Sequence, residues 1–342
     1  MASIQKKRIF TILQYLFFLG IGFLLLWLSF RKLDLLEIWY DIRDANYLWL
    51  IISLVFAIGA HIFRALRWNL LINSLKYKTK LSTTFFAVMV GYLANTAVPR
   101  MGEFARCGVL SKKEKIPFNA LFGTVISERI FDLITLFVII LLVIIFQVKS
   151  LGDFLKQLFG PFFIELFSNL TSIIIFVGAI LLTFVGLLFL IKTLKEKIKK
   201  IPFYNKIWEF LSGLFDGIKT IMKLRQKWLF LIYTFIIWFF YALMVYLPLL
   251  MLEETSHLTF VNGLTILAIG SLGIVAPVPG GIGAYHFIVK TVLYEIFKVG
   301  GNASGSYAVI THTGQTLLNV VIGSLSYFYL GILAKREKPL NE

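Results

Sequence analysis

Six ionisable side chains stand where the chain is otherwise apolar: Arg100, Glu103 and Arg106, then Glu128, Arg129 and Asp132. Placed at membrane depth, each costs about 3 kcal/mol on insertion scales, so each needs a partner or a purpose. Arginine suits one purpose in particular, because its planar fork grips phosphate oxygens with two parallel bonds, while carboxylates hold the fork in place or receive a cationic group. That chemistry is recognition of an anionic headgroup. The same residues also fit a plainer role, mutually neutralising ion pairs that fasten one helix to another, and the spacing alone leaves both open. Glu128 and Asp132 are i, i+4 on one helical face, and Arg129 reaches Asp132 at i, i+3.

A second polar set lies in the C-terminal half. His286 and Lys290 are i, i+4; His312, Gln315 and Asn319 form a stripe on one face. Residues of these types within a span commonly make interhelical hydrogen bonds, and opposite the arginine cluster they would line one cavity. Two irregular stretches accompany the two sets. Asn95, Pro99 and Gly102 surround the first; Pro277, Pro279, Gly280, Gly281 and Gly283 form the second, as candidate cavity-lining or hinge positions.

The elements that must position these groups follow from composition. The 342 residues are 58% hydrophobic and 15% charged, with mean hydropathy +0.84. Several apolar runs of about 20 residues require a bilayer. The net charge of +16 sits in short segments between those runs, which is the signature of cytoplasmic loops and not of nucleic-acid binding. The N-terminal run lacks a small-residue cleavage pattern and reads as an uncleaved span over Ile9–Phe30. Arg31–Asn46 reads as an outside loop. A span over Tyr47–Leu66 ends in Arg64, Arg67, Lys76, Lys78 and Lys80, which marks that end as inside.

Residues Leu81–Val98 and Met101–Leu110 are each too short to cross comfortably, and basic residues flank both. They predict a re-entrant hairpin that enters from the inside and turns at Thr96–Gly102. Spans follow at Phe118–Phe146 and Leu170–Ile191. The segment 192–227 carries ten Lys/Arg and a helical apolar stripe, which predicts an amphipathic helix on the inner surface. Trp228–Leu252 crosses outward, Phe260–Ala276 and Ala284–Phe297 flank the second Pro/Gly turn, and Gly305–Leu333 ends inside. The expected fold is an all-α polytopic membrane protein, a single integral membrane domain over residues 1–342. It has about six full spans plus two re-entrant helical hairpins arranged as an inverted repeat, with units at 47–146 and 228–333. Both termini are predicted cytoplasmic.

Enzymatic motifs are largely missing: there is no HExxH, GxSxG or P-loop, and four His with one Cys predict no metal site and no cofactor.

The run N-x-x-x-P-R-x-G-E-x-x-R at Asn95–Arg106, S-E-R-x-x-D at Ser127–Asp132 and P-x-P-G-G-I-G at Pro277–Gly283 resembles the lysylphosphatidylglycerol synthase transmembrane-domain family. That family includes the flippase portion of the multiple peptide resistance factor. The resemblance covers roughly residues 10–335. It implies a lipid flippase or translocase of the cell membrane that moves a polar-headed lipid, anionic or aminoacylated, or a lipid-linked intermediate. The alternative is a membrane-embedded enzyme or scaffold for lipid-linked envelope synthesis. The expected partner is a membrane lipid with a phosphate-containing headgroup, alongside a separate transferase, since no soluble synthase domain is visible in the sequence.

Overall fold

The computed structural model describes residues 2–147, 160, 224–273 and 278–336, and among these it is helical with no strand. The span expected at Leu170–Ile191, nearly all of the 192–227 segment, and Pro277 lie outside the described residues.

Helix α1 covers Ala2–Phe30 and turns by 89° into α2, Leu35–Asp44. Residues 31–46, expected as an outside loop, contain this helix. A helix forms there because Asp34 caps it, its carboxylate accepting from the Leu36 and Glu37 amides at 2.8 and 3.4 Å. The acidic side chains of α2 then bond to the last helix of the chain: Ser306 Oγ donates to Asp41 at 2.6 Å, and Asn302 donates to Glu37.

Helix α3, Tyr47–Ser74, opens on an Asn46 cap and runs eight residues past the expected end of the second span. Arg64 and Arg67, read from sequence as inside-facing termini, are therefore buried within a span, at 3% and 0% exposure. Only Lys76, Lys78 and Lys80 remain as its basic flank.

Helices α4, Leu81–Ala97, and α5, Gly102–Glu114, pack on each other as the two arms of a helical hairpin, the second arm four residues longer at its end than the sequence suggests. Its arms cross so closely that a Cβ on Gly102 would sit 2.3 Å from the Gly91 carbonyl oxygen. Only glycine fits there. Pro117 leads into α6, Phe118–Phe146, matching the expected span.

In the C-terminal half α7 spans Lys227–Tyr246 and continues as a tighter turn over Leu247–Met251. Helix α8, Phe260–Gly273, leads to the second turn, where Gly280, Gly281 and Gly283 all have positive φ. Gly283, at φ +82°, lies so close to α1 that a Cβ would meet the Gly22 carbonyl oxygen at 1.9 Å. The returning arm is shorter than the sequence suggested: α9 covers only Ala284–Thr291 before a wide π turn at Val292–Ile296. Helix α10, Gly301–Arg336, closes the bundle.

Among the described residues four helices are long and apolar enough to cross a membrane, at Tyr47–Ser74, Phe118–Phe146, Lys227–Met251 and Gly301–Ile332, and the bent α1–α2 pair makes a fifth candidate. The packing is reciprocal. Helix α3 lies along α7, α10 lies on the first hairpin's α4, and α6 lies on the second hairpin's α8. One apolar core gathers around Leu249, Ile266, Val289 and Tyr307, a second around Trp68, Ala87, Leu110 and Leu121, and two smaller ones around Phe230 and around Ile139.

Candidate functional site: a buried arginine and carboxylate cluster

The site is built where α3, α5 and α6 meet. Arg64 and Arg67, i and i+3 on α3, face Glu128 and Asp132, i and i+4 on α6. Arg64 bonds Glu128 at 2.9 Å and Asp132 at 3.1 Å. Arg67 lies 3.2 Å from Glu128 and 2.7 Å from Asp132, and its other terminal nitrogen donates to Thr234 on α7 at 3.1 Å. One turn along, Trp68 Nε1 donates to Thr124 Oγ1 at 2.8 Å, which fixes the register of the two helices.

The hairpin adds Arg106, 3.3 Å from Glu128 and lying over the Trp68 ring at 4.7 Å. Glu128 thus meets three guanidiniums with no exposed surface of its own. Nearer the surface, Arg129 pairs with Glu103 at 2.8 Å and with Asp132 at 3.6 Å. An unshared charge buried in this way would cost several kcal/mol; mutual pairing removes most of that penalty.

A narrow cleft opens beside the cluster, lined by Arg64, Val88, Gly91, Tyr92, Asn95, Gly102, Glu103, Arg106 and Arg129. It has room for roughly one water. Asn95 shapes its wall by accepting from the Gly102 amide at 2.7 Å. On the far side Tyr92 contacts the Tyr241 hydroxyl at 3.4 Å and packs on the His61 ring at 4.3 Å.

Of the residues singled out in sequence, the structure brings Glu103, Arg106, Glu128, Arg129 and Asp132 into this one network, with Asn95 and Gly102 on the cleft wall. Arg100 is exposed at the hairpin tip with φ +63°, and Pro99 precedes it there. His286 and His312 form a separate group at the second tip, their rings 4.7 Å apart. His312 Nε2 is 2.9 Å from the Gly280 carbonyl, which can only accept, so Nε2 carries the hydrogen. The Gly283 amide donates to His286 Nδ1 at 3.4 Å. Lys290 turns away and donates to the Ser29 carbonyl at 2.7 Å. Asn319 neighbours His61, and Gln315 is half-buried on α10. None of the second-tip residues lines the arginine cleft. The two tips nevertheless touch: a Cβ on Gly280 would lie 3.5 Å from the Thr96 carbonyl oxygen.

Sequence reasoning missed Arg64, Arg67 and His61. The available signal was spacing: Arg64 and Arg67 are i, i+3 and so share a helical face, as the i, i+4 carboxylates they meet do.

The family model described as the lysylphosphatidylglycerol synthase TM region matches residues 12–323. The chain is 26% identical to the UPF0104 membrane protein MJ1595 of Methanocaldococcus jannaschii, over 98% of this chain and 97% of that protein. It is 28% identical to the UPF0104 membrane protein MJ1078 of the same organism, over 72% of this chain and 98% of that protein. No solved structure matches.

Proposed function

The chain belongs to the lysylphosphatidylglycerol synthase transmembrane family and is a multi-pass membrane protein, and from that premise we propose that it moves a polar-headed phospholipid or lipid-linked intermediate between leaflets. The observation that carries this reading is the buried cluster of Arg64, Arg67, Arg106, Glu128 and Asp132 beside a hairpin whose irregular tip meets a second irregular tip. Ionisable groups inside a bilayer mark substrate pathways, and irregular backbone at that depth is tolerated where it is buried in protein or lines a cavity.

The inverted repeat belongs to the same proposal. Two units related by a two-fold axis in the membrane plane would pack their first helices together and lay the last helix of each on the hairpin of the other. The α3–α7, α10–α4 and α6–α8 contacts follow that pattern. With it go about six spans, a place in the cell membrane and cytoplasmic termini.

The test is reconstitution into vesicles carrying fluorescent lipids in one leaflet. Movement that depends on the protein, and that falls at least tenfold in Arg106→Ala and Arg129→Ala, supports the reading. Movement unaffected by both substitutions overturns the site, and recovery of chemically altered lipid would favour an embedded enzyme instead.

A further inference from the structure

Two imidazoles hold the second hairpin tip in place, and each does so through one ring nitrogen. His286, 6% exposed, accepts from the Gly283 amide at Nδ1 over 3.4 Å, so that nitrogen carries no proton. It is the third residue of α9 behind Gly283, the place from which a glutamine or glutamate side chain caps a helix by reaching back to the same amide. His312, on α10, donates from Nε2 to the Gly280 carbonyl at 2.9 Å and ties the tip to that helix. The two rings lie 4.7 Å apart.

A proton affects the two rings differently. On His312 it enters at Nδ1, and the Nε2 bond to Gly280 stays. On His286 it enters at Nδ1, where one N–H would then face another, so the Gly283 bond breaks and a cation is left buried. The surroundings offer that cation no partner. Tyr285 and Lys290 share its helix, His312 faces it from α10, the α1 side presents the Phe30 ring at 6.0 Å, and α8 carries no ionisable residue. Lys32 and Glu295 act on Lys290, at the far end of α9.

We propose that His286 is a proton-binding site that controls the second hairpin tip: the tip is closed while His286 is neutral and opens as its Nδ1 takes one proton from water. The closed tip touches α1 where Gly283 meets Gly22, and the first tip where Gly280 meets Thr96, so opening parts it from both. In the open tip the imidazole is hydrated and titrates near its ordinary value of about 6.5. Closure is fully present above that value and is lost as the pH falls through it, because the open form binds the extra proton. From about pH 7.5 to about pH 5.5 the open fraction should therefore rise about tenfold. The device needs no particular cargo and stands apart from the translocation reading.

The test is amide hydrogen exchange on full-length protein in phosphatidylcholine nanodiscs, read by mass spectrometry at those two pH values and divided by the intrinsic exchange rate of each peptide. Exchange across 279–291 should rise about tenfold at the lower pH. Peptides from α7, which holds no His, Asp or Glu, should change less than twofold. His286→Gln keeps an acceptor for the Gly283 amide and cannot take the proton, so its tip should change less than twofold. His312→Gln keeps a donor for Gly280 and leaves His286 in place, so the tenfold rise should persist.

A wild-type tip whose exchange changes less than twofold, an equal rise in the α7 peptides, or a tenfold rise that survives His286→Gln overturns the proposal. Loss of the rise in His312→Gln overturns it too, since the proton would then belong to the other ring. Should His286→Gln fail to fold, the wild-type profile and His312→Gln still decide. Lipid movement in vesicles enters none of these readings, so failure of translocation leaves the proton site standing, and a tip indifferent to pH leaves translocation standing.

Discussion

Glu128 is the residue on which the cluster turns, because its two oxygens serve Arg64, Arg67 and Arg106 at once. Glu128→Gln keeps the shape and removes the charge, leaving three buried guanidiniums to share Asp132. Breaking a buried pair from one side costs about 3–5 kcal/mol, so the melting temperature in detergent should fall markedly. Trp68→Phe removes only a neutral bond, that to Thr124, and some ring surface under Arg106, and should cost about 1 kcal/mol. If Glu128→Gln melts no lower than Trp68→Phe, the ion pairs are not what holds α3 to α6. The carboxylates and the hairpin arginines were legible in sequence because charge inside an apolar run stands out. Arg64 and Arg67 were not, because the next charges after them are Lys76, Lys78 and Lys80, and local composition does not say where along that basic stretch a helix leaves the membrane. Only the continuation of α3 to Ser74 places them inside.

At the scale of elements, the first hairpin was readable from Pro99 and the short apolar arms, and its crossing explains why Gly91 and Gly102 stand opposite each other. Gly102→Ala should force the arms apart, since the added carbon would overlap the Gly91 carbonyl, and protein yield and lipid movement should fall together. Normal yield with normal movement would mean that the arms have slack. Helix α2 was not readable, because apolar and acidic side chains share the face it turns to α10, where Ile38 is buried. Glu37 and Asp41 turn toward α10 while Leu35, Leu36, Trp39 and Tyr40 are exposed. Lying at 89° to α1 and carrying an aromatic pair, it is suited to the plane of the interface. Spin labels at Leu36 and Trp39 should be more accessible to oxygen than to a water-soluble nickel chelate. The opposite order would place α2 in bulk water.

For the whole molecule, the pairing of α3 with α7, of α10 with α4 and of α6 with α8 emerged only with three-dimensional contacts, since hydropathy and Pro/Gly position suggest a repeat without saying which helices touch. Cys107 is the lone cysteine and is buried, so a Cys107→Ser background allows single cysteines to report sidedness. A label applied from outside intact cells should reach Glu37→Cys and not Lys78→Cys. Labelling of both from one side would remove the proposed topology and the repeat with it.

The corner between α1 and α2 also sets a timetable for synthesis. The bonds that fix Ser29, Asp34 and Asp41 reach partners 261 to 268 residues later, at Lys290, Asn302 and Ser306. At about 5–20 residues per second, the first helices to leave the ribosome wait on the order of tens of seconds for the surfaces that hold them. Through that interval the 89° elbow stands in the bilayer without its late partners, as a transient surface on which insertion factors or lipids must keep it upright.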